Sequence, residues 1–515
     1  MIDMTAAAAG TFATALAWLL VRHWLRLPVP HSQNTHEHAR RVPATGPLAA
    51  LLGPLCAARP GKSGVQLLHD GPQSLAVRLL LIRKASVCID VQYYIWRDDV
   101  AGGLLLDALE AAADRGVQVR LLLDDFGTTG LDARLMHLDS HPGIAVRLVN
   151  PFRLRRPKLL NLLFDFSRLN RRMHNKGLVV DGVAAVIGGR NIGDEYFDAG
   201  HAELVTDLDV LAIGAIVAAV DADFDSYWHC AAAYPLASIV RPQSRSPAAP
   251  SGTALRARYE SAAASDAVRA LMDETSDFEW ADVCIMSDPP GKLLGVAAPS
   301  DLLLPKLLAA LSPISRRLVL VSAYFVPMAE GIRLLADLAA RGVQVDVLTN
   351  SLRSGNVVVV HAGYAPLRRR LLAAGVRLWE MKGSGAGRVR LGLVPRRLRR
   401  NGSSASFFRT SASALHAKTF IADGTSLFVG SVNFDPRSWR LNTEVGFLIA
   451  APALAARLEA ELDAALPEFA WSLRLEDGQL AWDSKPERLD AEPGTAAWQR
   501  AAIWLVGRLP FAWML

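Results

Sequence analysis

One spaced set of polar residues occurs twice in this chain, and it limits what the chain can fold into. The first copy is His174, Lys176, Asp181, Gly182, Gly188 and Asn191; the second is His416, Lys418, Asp423, Gly424, Gly430 and Asn433. Every interval is the same in both. Apolar β-forming residues lie on either side of each Asp-Gly pair, which predicts a β-hairpin turning there. In a strand, residues i and i+2 point to the same face. His174 then shares a face with Lys176, and His416 with Lys418. The return strand brings Asn191 or Asn433 back level with its own His.

Two such hairpins facing each other place two imidazoles and two ammonium groups in one pocket. That set suits phosphoryl transfer. A neutral His can attack phosphorus and carry a covalent intermediate. A protonated His can donate to the leaving oxygen. Lysines and asparagines can hold the non-bridging oxygens as charge builds. The lysines supply the positive charge, so neither a metal nor another cofactor is expected. Asp181 and Asp423 precede Gly in a turn, where Asp commonly bonds the local backbone. A turn role is at least as well motivated for them as a chemical one.

The double pattern resembles the phospholipase D superfamily and its His-x-Lys-x4-Asp motif, over about residues 64–470. Gly188, Gly189, Asn191, Ile192, Tyr196 and Phe197 look like the bacterial cardiolipin synthase branch, as do Gly430, Ser431, Asn433, Asp435, Arg437 and Ser438. The resemblance implies an α/β fold of two pseudo-symmetric lobes. Each lobe would be a mixed β-sheet flanked by helices, with the active site between them. It implies a phosphohistidine intermediate and a catalytic set of His174, Lys176, Asp181, His416, Lys418 and Asp423. Asn191, Asn433 and Ser431 would support it. An acidic residue downstream of each motif would orient the His of the opposite lobe; Asp209 and Glu444 are the candidates. Gly189 stands where the second copy has Ser431, so the two lobes need not be equivalent.

The implied activity is that of a membrane-associated phosphatidyltransferase, making cardiolipin from phosphatidylglycerol and a second phospholipid. The same motifs would serve a hydrolytic phospholipase D, with water as acceptor, or a nuclease of the same superfamily. The partners implied are anionic and zwitterionic phospholipids in a membrane. Nucleic acid is not expected, because the apolar chain ends and a Leu/Phe-rich segment beside the first motif oppose it and no nucleic-acid module signature is present.

Composition supports an anionic, apolar partner. Half the 515 residues are hydrophobic (51%), the net charge is +6, and mean hydropathy is +0.20. Such a basic chain favours a membrane surface or nucleic acid. Cys56, Cys88, Cys230 and Cys284 are scattered without metal or disulfide spacing, as in a reducing compartment.

Residues 1–45 hold an apolar run from Met4 to Val21, followed by Arg22, Arg26, Arg40 and Arg41. Placement of the charges after the run puts the body at the cytoplasmic face of a bacterial inner membrane, anchored or peripheral. The alternative is an Ala-rich helix at the interface or against the body. His31, His36 and His38 lie in a polar linker with no companion ligands. The first lobe spans 46–240. In it Val87–Trp96 is predicted as a strand, 101–114 as a helix and Val117–Asp124 as the next strand, with Asp124 and Asp125 at its end. The same order recurs at 318–325, 330–340 and from 341, and Arg-Gly-Val-Gln-Val occurs at both 115–119 and 341–345. A duplicated lobe follows.

Residues 241–290 are a Pro/Ser-rich linker, a connecting helix over 253–275 and a strand near Trp280–Met286. The second lobe is 291–470, and 471–515 is a Trp-rich tail that suits either a headgroup layer or a cap on the body. Two basic segments lead into the hairpins. One is Arg153, Arg155, Arg156, Lys158, Arg168, Arg171 and Arg172 among Leu and Phe residues; the other is an Arg-rich stretch at 383–413. Both are expected to grip anionic lipid.

Overall fold

The computed structural model describes residues 16, 18, 27–28, 46–197, 207–241, 257, 278–310, 313–355, 357–383, 415–484 and 486–508. The first lobe contains β1 (Ser63–Leu68), β2 (Cys88–Ile95), β3 (Gln118–Gly127), β4 (Ile144–Val149), β5 (Gly177–Val180), β6 (Ala184–Gly188), β7 (Asp209–Gly214) and β8 (Ala233–Pro235). The second contains β9 (Glu279–Ser287), β10 (Arg317–Ser322), β11 (Gln344–Asn350), β12 (Arg377–Met381), β13 (Lys418–Ala422), β14 (Ser426–Gly430) and β15 (Val445–Ala450). The chain then adds β16 (Ala470–Glu476), β17 (Gln479–Ser484) and β18 (Glu487–Leu489).

The pairing repeats strand for strand. In the first lobe β2, β3 and β4 are parallel, and β5, β6, β7 and β1 continue the sheet antiparallel from β2. In the second, β10, β11 and β12 are parallel, and β13, β14, β15 and β9 continue antiparallel from β10. The parallel strands are joined by helices at Val100–Asp114 and Ala329–Ala340. Each helix stops at the repeated Arg-Gly-Val-Gln-Val, whose glycines, Gly116 (φ 92°) and Gly342 (φ 86°), take the left-handed conformation. There Val117 and Val343 donate back to Ala112 and Leu338, a helix end that favours glycine.

The seam between lobes is β9. Its first residues pair with β1 and its remainder with β15. The strand expected near Trp280–Met286 is therefore a shared sheet strand and not part of the connection. One apolar core also takes side chains from both lobes: Val179, Ile187 and Val210 from the first, and Val319, Ile421 and Val429 from the second. Burying both sheet faces against each other holds the two halves in a fixed relation.

The tail does not stand apart. β16 pairs with β12, and Glu492 lies between His361 (2.6 Å) and Arg368 (2.7 Å), both on the second lobe. The residues up to 508 thus cap that lobe, while Trp498 and Trp504 face outward. Burial raises the thiol pKa of Cys56, Cys88 and Cys230; Cys284 is exposed.

The basic cluster before the first motif is mostly turned inward, contrary to the expectation from sequence. Arg172 is buried on Asp124, and Arg155 and Lys158 converge on the fully buried Asp125. Both aspartates therefore neutralise cations inside the lobe, and neither opens onto a site beyond the strand. Arg153 and Arg156 remain exposed. The run at 4–21 apart from Leu16 and Trp18, the histidines at 31, 36 and 38, residues 242–277 apart from 257, and the Arg-rich residues 384–414 lie outside the described residues. Among the described residues no helix is long and apolar enough to cross a membrane.

Candidate active site

Both motifs form hairpins at the expected turns. Val180 pairs with Ala184, and Ala422 with Ser426. Asp181 (φ 51°) and Gly182 (φ 62°) turn the first; Asp423 (φ 53°) and Gly424 (φ 63°) turn the second. Consecutive positive φ values suit Asp-Gly. The strand proper starts later than expected in the first lobe, at Gly177, so His174 and Lys176 lie on the segment entering it.

Asp181 and Asp423 face away from the histidines and tie their hairpins to the sheet. Asp181 accepts from the backbone of Ser86 (2.9 Å), Val87 (2.8 Å) and Cys88 (2.9 Å) at the start of β2. Asp423 accepts from Ser315 (2.9 Å), Arg316 (2.8 Å) and Arg317 (2.9 Å) before β10. Their assignment to the catalytic set is corrected on this ground: the carboxylates are consumed by backbone donors.

The histidines are gripped crosswise. His174, from the first lobe, has Nδ1 2.8 Å from Glu444 Oε2 of the second. His416, from the second, has Nδ1 2.6 Å from Asp207 Oδ2 of the first. Each Nδ1 is occupied, which leaves Nε2 of each ring as the nitrogen able to meet a substrate. The entering segment of His174 is pinned as well: Met173 donates to Asp124 (2.9 Å), and His174 donates from its backbone to Thr443 (2.9 Å) across the lobe boundary.

The acidic partner in the first lobe is thus Asp207, not Asp209. Register explains the error. Gly188 lies opposite Asp209 on β7, and Gly430 lies opposite Gly446 on β15. Asp209 therefore matches Gly446, and Asp207 matches Glu444. Asp209 instead takes the buried Arg78 (3.0 Å) and Arg190 (3.2 Å) and the Ser74 hydroxyl (2.8 Å). A signal was present: an acid, an apolar residue, one variable position, another apolar residue and Leu run through both 207–211 and 444–448.

Tyr94 was not singled out from sequence, and Tyr196 entered only as part of the run at 188–197, with no role. Tyr94 meets the His174 ring edge-on at 4.9 Å, and Tyr196 meets His416 at 5.3 Å. The Asn191 amide oxygen accepts from the Ile95 backbone at 3.3 Å, and Asn191 also bonds the Tyr196 hydroxyl. Through Tyr196 it bears on the His of the opposite lobe rather than its own. Asn433 is buried with its amide oxygen unbonded. Ser431 donates to Glu444 Oε2 (2.5 Å), and Ser438 donates to Oε1 (2.7 Å).

Electrostatics follow from burial. It depresses His174 well below the usual imidazole range, with Lys176, Lys418 and His416 adding to the effect. It brings His416 down to about 4, with Lys418 assisting and Asp207 opposing. Lys176 falls to about 7 and Lys418 to about 8, both chiefly by desolvation. Burial also lifts Glu444 to about 7 against the pull of Lys176. Burial pushes Asp207 up too, but His416, Lys418 and Arg190 outweigh it and hold it below the ordinary range. Each lysine donates to the carbonyl of its own His. The resting pocket has neutral imidazoles and barely held ammonium protons, and an entering anion would stabilise the charged forms.

Comparisons with known proteins give the family. The family model described as "Cardiolipin synthase, PLD-like domain" matches residues 79–228 and 307–466. Cardiolipin synthase C of Escherichia coli is 42% identical over 485 residues, covering 91% of this chain and 99% of that protein. An uncharacterized protein of Helicobacter pylori is 30% identical over 458 residues, covering 86% and 87%. The crystal structure of phosphatidylserine synthase from Haemophilus influenzae aligns with a TM-score of 0.56 at 15% identity, covering 87% of this chain and 93% of that one, and supports the fold alone. With two matched lobes and a match to each, the chain belongs to the cardiolipin synthase, PLD-like family.

Proposed function

We propose that the chain is a phosphatidyltransferase of cardiolipin synthase type, working at a membrane. The crossed pairs His174–Glu444 and His416–Asp207 carry this reading, because they aim two imidazole Nε2 atoms into one site lined by two lysines. Nε2 of one His attacks the phosphorus of a phosphatidyl donor, and the bond to the headgroup oxygen breaks. The other His gives that oxygen its proton. A hydroxyl of phosphatidylglycerol then enters, gives its proton to the second His and attacks phosphorus as the P–N bond breaks. The carboxylates orient the rings and stabilise the imidazolium that forms. Lys176 and Lys418 hold the non-bridging oxygens.

A hydrolytic phospholipase D uses the same first half with water as acceptor. Purified protein incubated with labelled phosphatidylglycerol, alone and with phosphatidylethanolamine, separates the two by product. Cardiolipin with released headgroup alcohol is expected; phosphatidic acid alone would favour hydrolysis. Cleavage of labelled DNA without any lipid product would overturn both. His174→Ala and His416→Ala should each abolish lipid product, and near-normal turnover by either would refute the two-histidine mechanism. Body and site are assigned to the cytoplasmic face of the inner membrane on the charge pattern after the apolar run; protection of the body from protease in intact spheroplasts tests that.

A further inference from the structure

With most of the basic cluster turned inward, the segment before the first motif presents a different surface. Residues Lys158–Asn161 form a short 3-10 turn that leads into the helix Leu162–Leu169. Leu159, Leu160 and Leu163 stand exposed next to one another on the turn and the helix's first residues, before the backbone leaves helical geometry at Asp165 (φ -143°). Leu163 is 68% exposed and Leu159 55%. Single exposed hydrophobic residues are ordinary, but a contiguous row beside a site is not.

Ring contacts run from this turn towards the histidine, through the buried Phe152. Lys158 Nζ sits over the Phe152 ring at 5.7 Å, and Phe152 contacts Phe126 at 6.3 Å. Phe126, 49% exposed, lies parallel to Tyr94 at 6.4 Å, and Tyr94 touches His174. On the other side Arg171 lies against Gly295, between the exposed Leu294 and Val296. Arg153 and Arg156 stand exposed on the same segment. Trp18, from the apolar N-terminal run, brings its ring to 6.5 Å from Phe164. An apolar face with arginines at its edge and a path to a phosphodiester site fits one occupant: the headgroup–acyl boundary of an anionic bilayer.

We propose that the surface of Leu159, Leu160 and Leu163 inserts into the bilayer and is the entry platform for the lipid substrate. Phe126 and Tyr94 line the way to His174. The inference deepens the function proposed above and rests on it for the identity of the substrate. Its consequence is that a headgroup can reach the pocket while its acyl chains stay in the membrane.

Two measurements on the full chain test this. In the first, Leu163→Cys carries a bimane probe, with Cys284→Ser removing the exposed native thiol; Glu487→Cys on β18 is the control. Vesicles of phosphatidylglycerol and phosphatidylethanolamine brominated in the acyl chains should quench the probe at 163 at least twofold and spare the one at 487. An unquenched probe at 163 overturns the proposal, whether the face stays in water or another segment or protein covers it. In the second, Leu159→Ser with Leu163→Asp should lose about tenfold of turnover on vesicles. It should stay within about twofold of the parent on short-chain lipid below its micelle threshold. Unchanged vesicle turnover, or equal loss on both substrates, overturns it. If the parent turns over no phospholipid, the function proposed above fails, while the quenching result still decides whether the face enters the bilayer.

Discussion

A Cβ built on Gly189 would stand 2.2 Å from Asp207 Oδ1, closer than any two such atoms can lie. The carboxylate can step aside only by giving up bonds. Oδ1 accepts from the Leu208 backbone at 2.8 Å, and Oδ2 holds His416. The missing hydroxyl in the first lobe therefore has a cause: the space that Ser431 uses to bond Glu444 is filled in the first lobe by the Asp207 carboxylate itself.

Gly189→Ser should displace Asp207 from His416 and lower kcat by about 100-fold, less than the roughly 10,000-fold that outright loss of a base-orienting carboxylate costs, with KM little changed. Ser431→Ala removes one hydrogen bond to Glu444 and should cost about tenfold, as one bond to a charged acceptor does. Steady-state rates on mixed lipid and detergent micelles check both; a Gly189→Ser enzyme as fast as the parent would mean that the carboxylate relocates without loss.

Asp207 and Asp209 stand two residues apart with opposite duties. Asp207→Asn keeps the shape but should lower turnover by about 1,000-fold or more, since a neutral amide neither fixes the tautomer nor stabilises the imidazolium. Asp209→Asn strands Arg78 and Arg190 in the interior and should cost about 3–5 kcal/mol of stability, with folded molecules still active. Denaturant unfolding alongside active-site titration separates the two. Equal rate losses at equal stability would contradict the division.

Much of this architecture was legible from sequence, and the misses have physical causes. The duplicated order of strands and helices was visible because strands buried on both faces leave near-continuous apolar runs, such as Val87–Trp96. Both turns were visible because Asp-Gly at positive φ is so restricted a solution. The Asp207/Asp209 choice needed register, since both side chains of an Asp-x-Asp run face one way; the partner strand, or a match of 207–211 to 444–448, tells which one passes the strand end. The inward basic cluster was missed because its counter-charges, Asp124 and Asp125, are distant in sequence. Tyr94 carries no pattern of its own, and the run that contains Tyr196 does not tell which ring it meets.

Asp181 is 1% exposed and holds three backbone amides together with the Ser86 hydroxyl. Asp181→Asn can serve only part of that set and should lower stability by about 2–4 kcal/mol, the range for lost charged hydrogen bonds, while kcat per folded molecule stays within about threefold. Asp423 is less enclosed, so its Asn variant should lose less. A well-folded but inactive Asp181→Asn protein would return the residue to the chemistry.

Divalent metal should not be required, because in the proposed reaction Lys176 and Lys418 carry the positive charge at the phosphate. Turnover in excess chelator should match that in buffer. Loss in chelator, restored by one metal, would count against a purely protein-borne site.

The same lysines set opposite pH trends for stability and for rate. Burial brings Lys176 down to about 7, whereas an unfolded lysine titrates at about 10.4. Between those values the unfolded chain holds a proton that the folded chain has released, so this group makes stability climb as pH rises from about 7 towards 10. Below about 7 both states hold the proton, and the cost of the buried ammonium is complete. Lys176→Met removes that cost. Its melting temperature should exceed the parent's at pH 6, and the gap should close as pH approaches 10. The rate runs the other way. The free site needs both ammonium groups to receive the diester, so kcat/KM should fall as pH rises through about 7–8, where Lys176 and Lys418 lose their protons. A bound diester favours the charged lysines, so kcat should hold to higher pH than kcat/KM. Melting curves of the parent and Lys176→Met across pH 6–10, with pH–rate profiles on the parent, read both trends. A variant less stable than the parent at pH 6 would show that the ammonium's bond to the His174 carbonyl outweighs its desolvation.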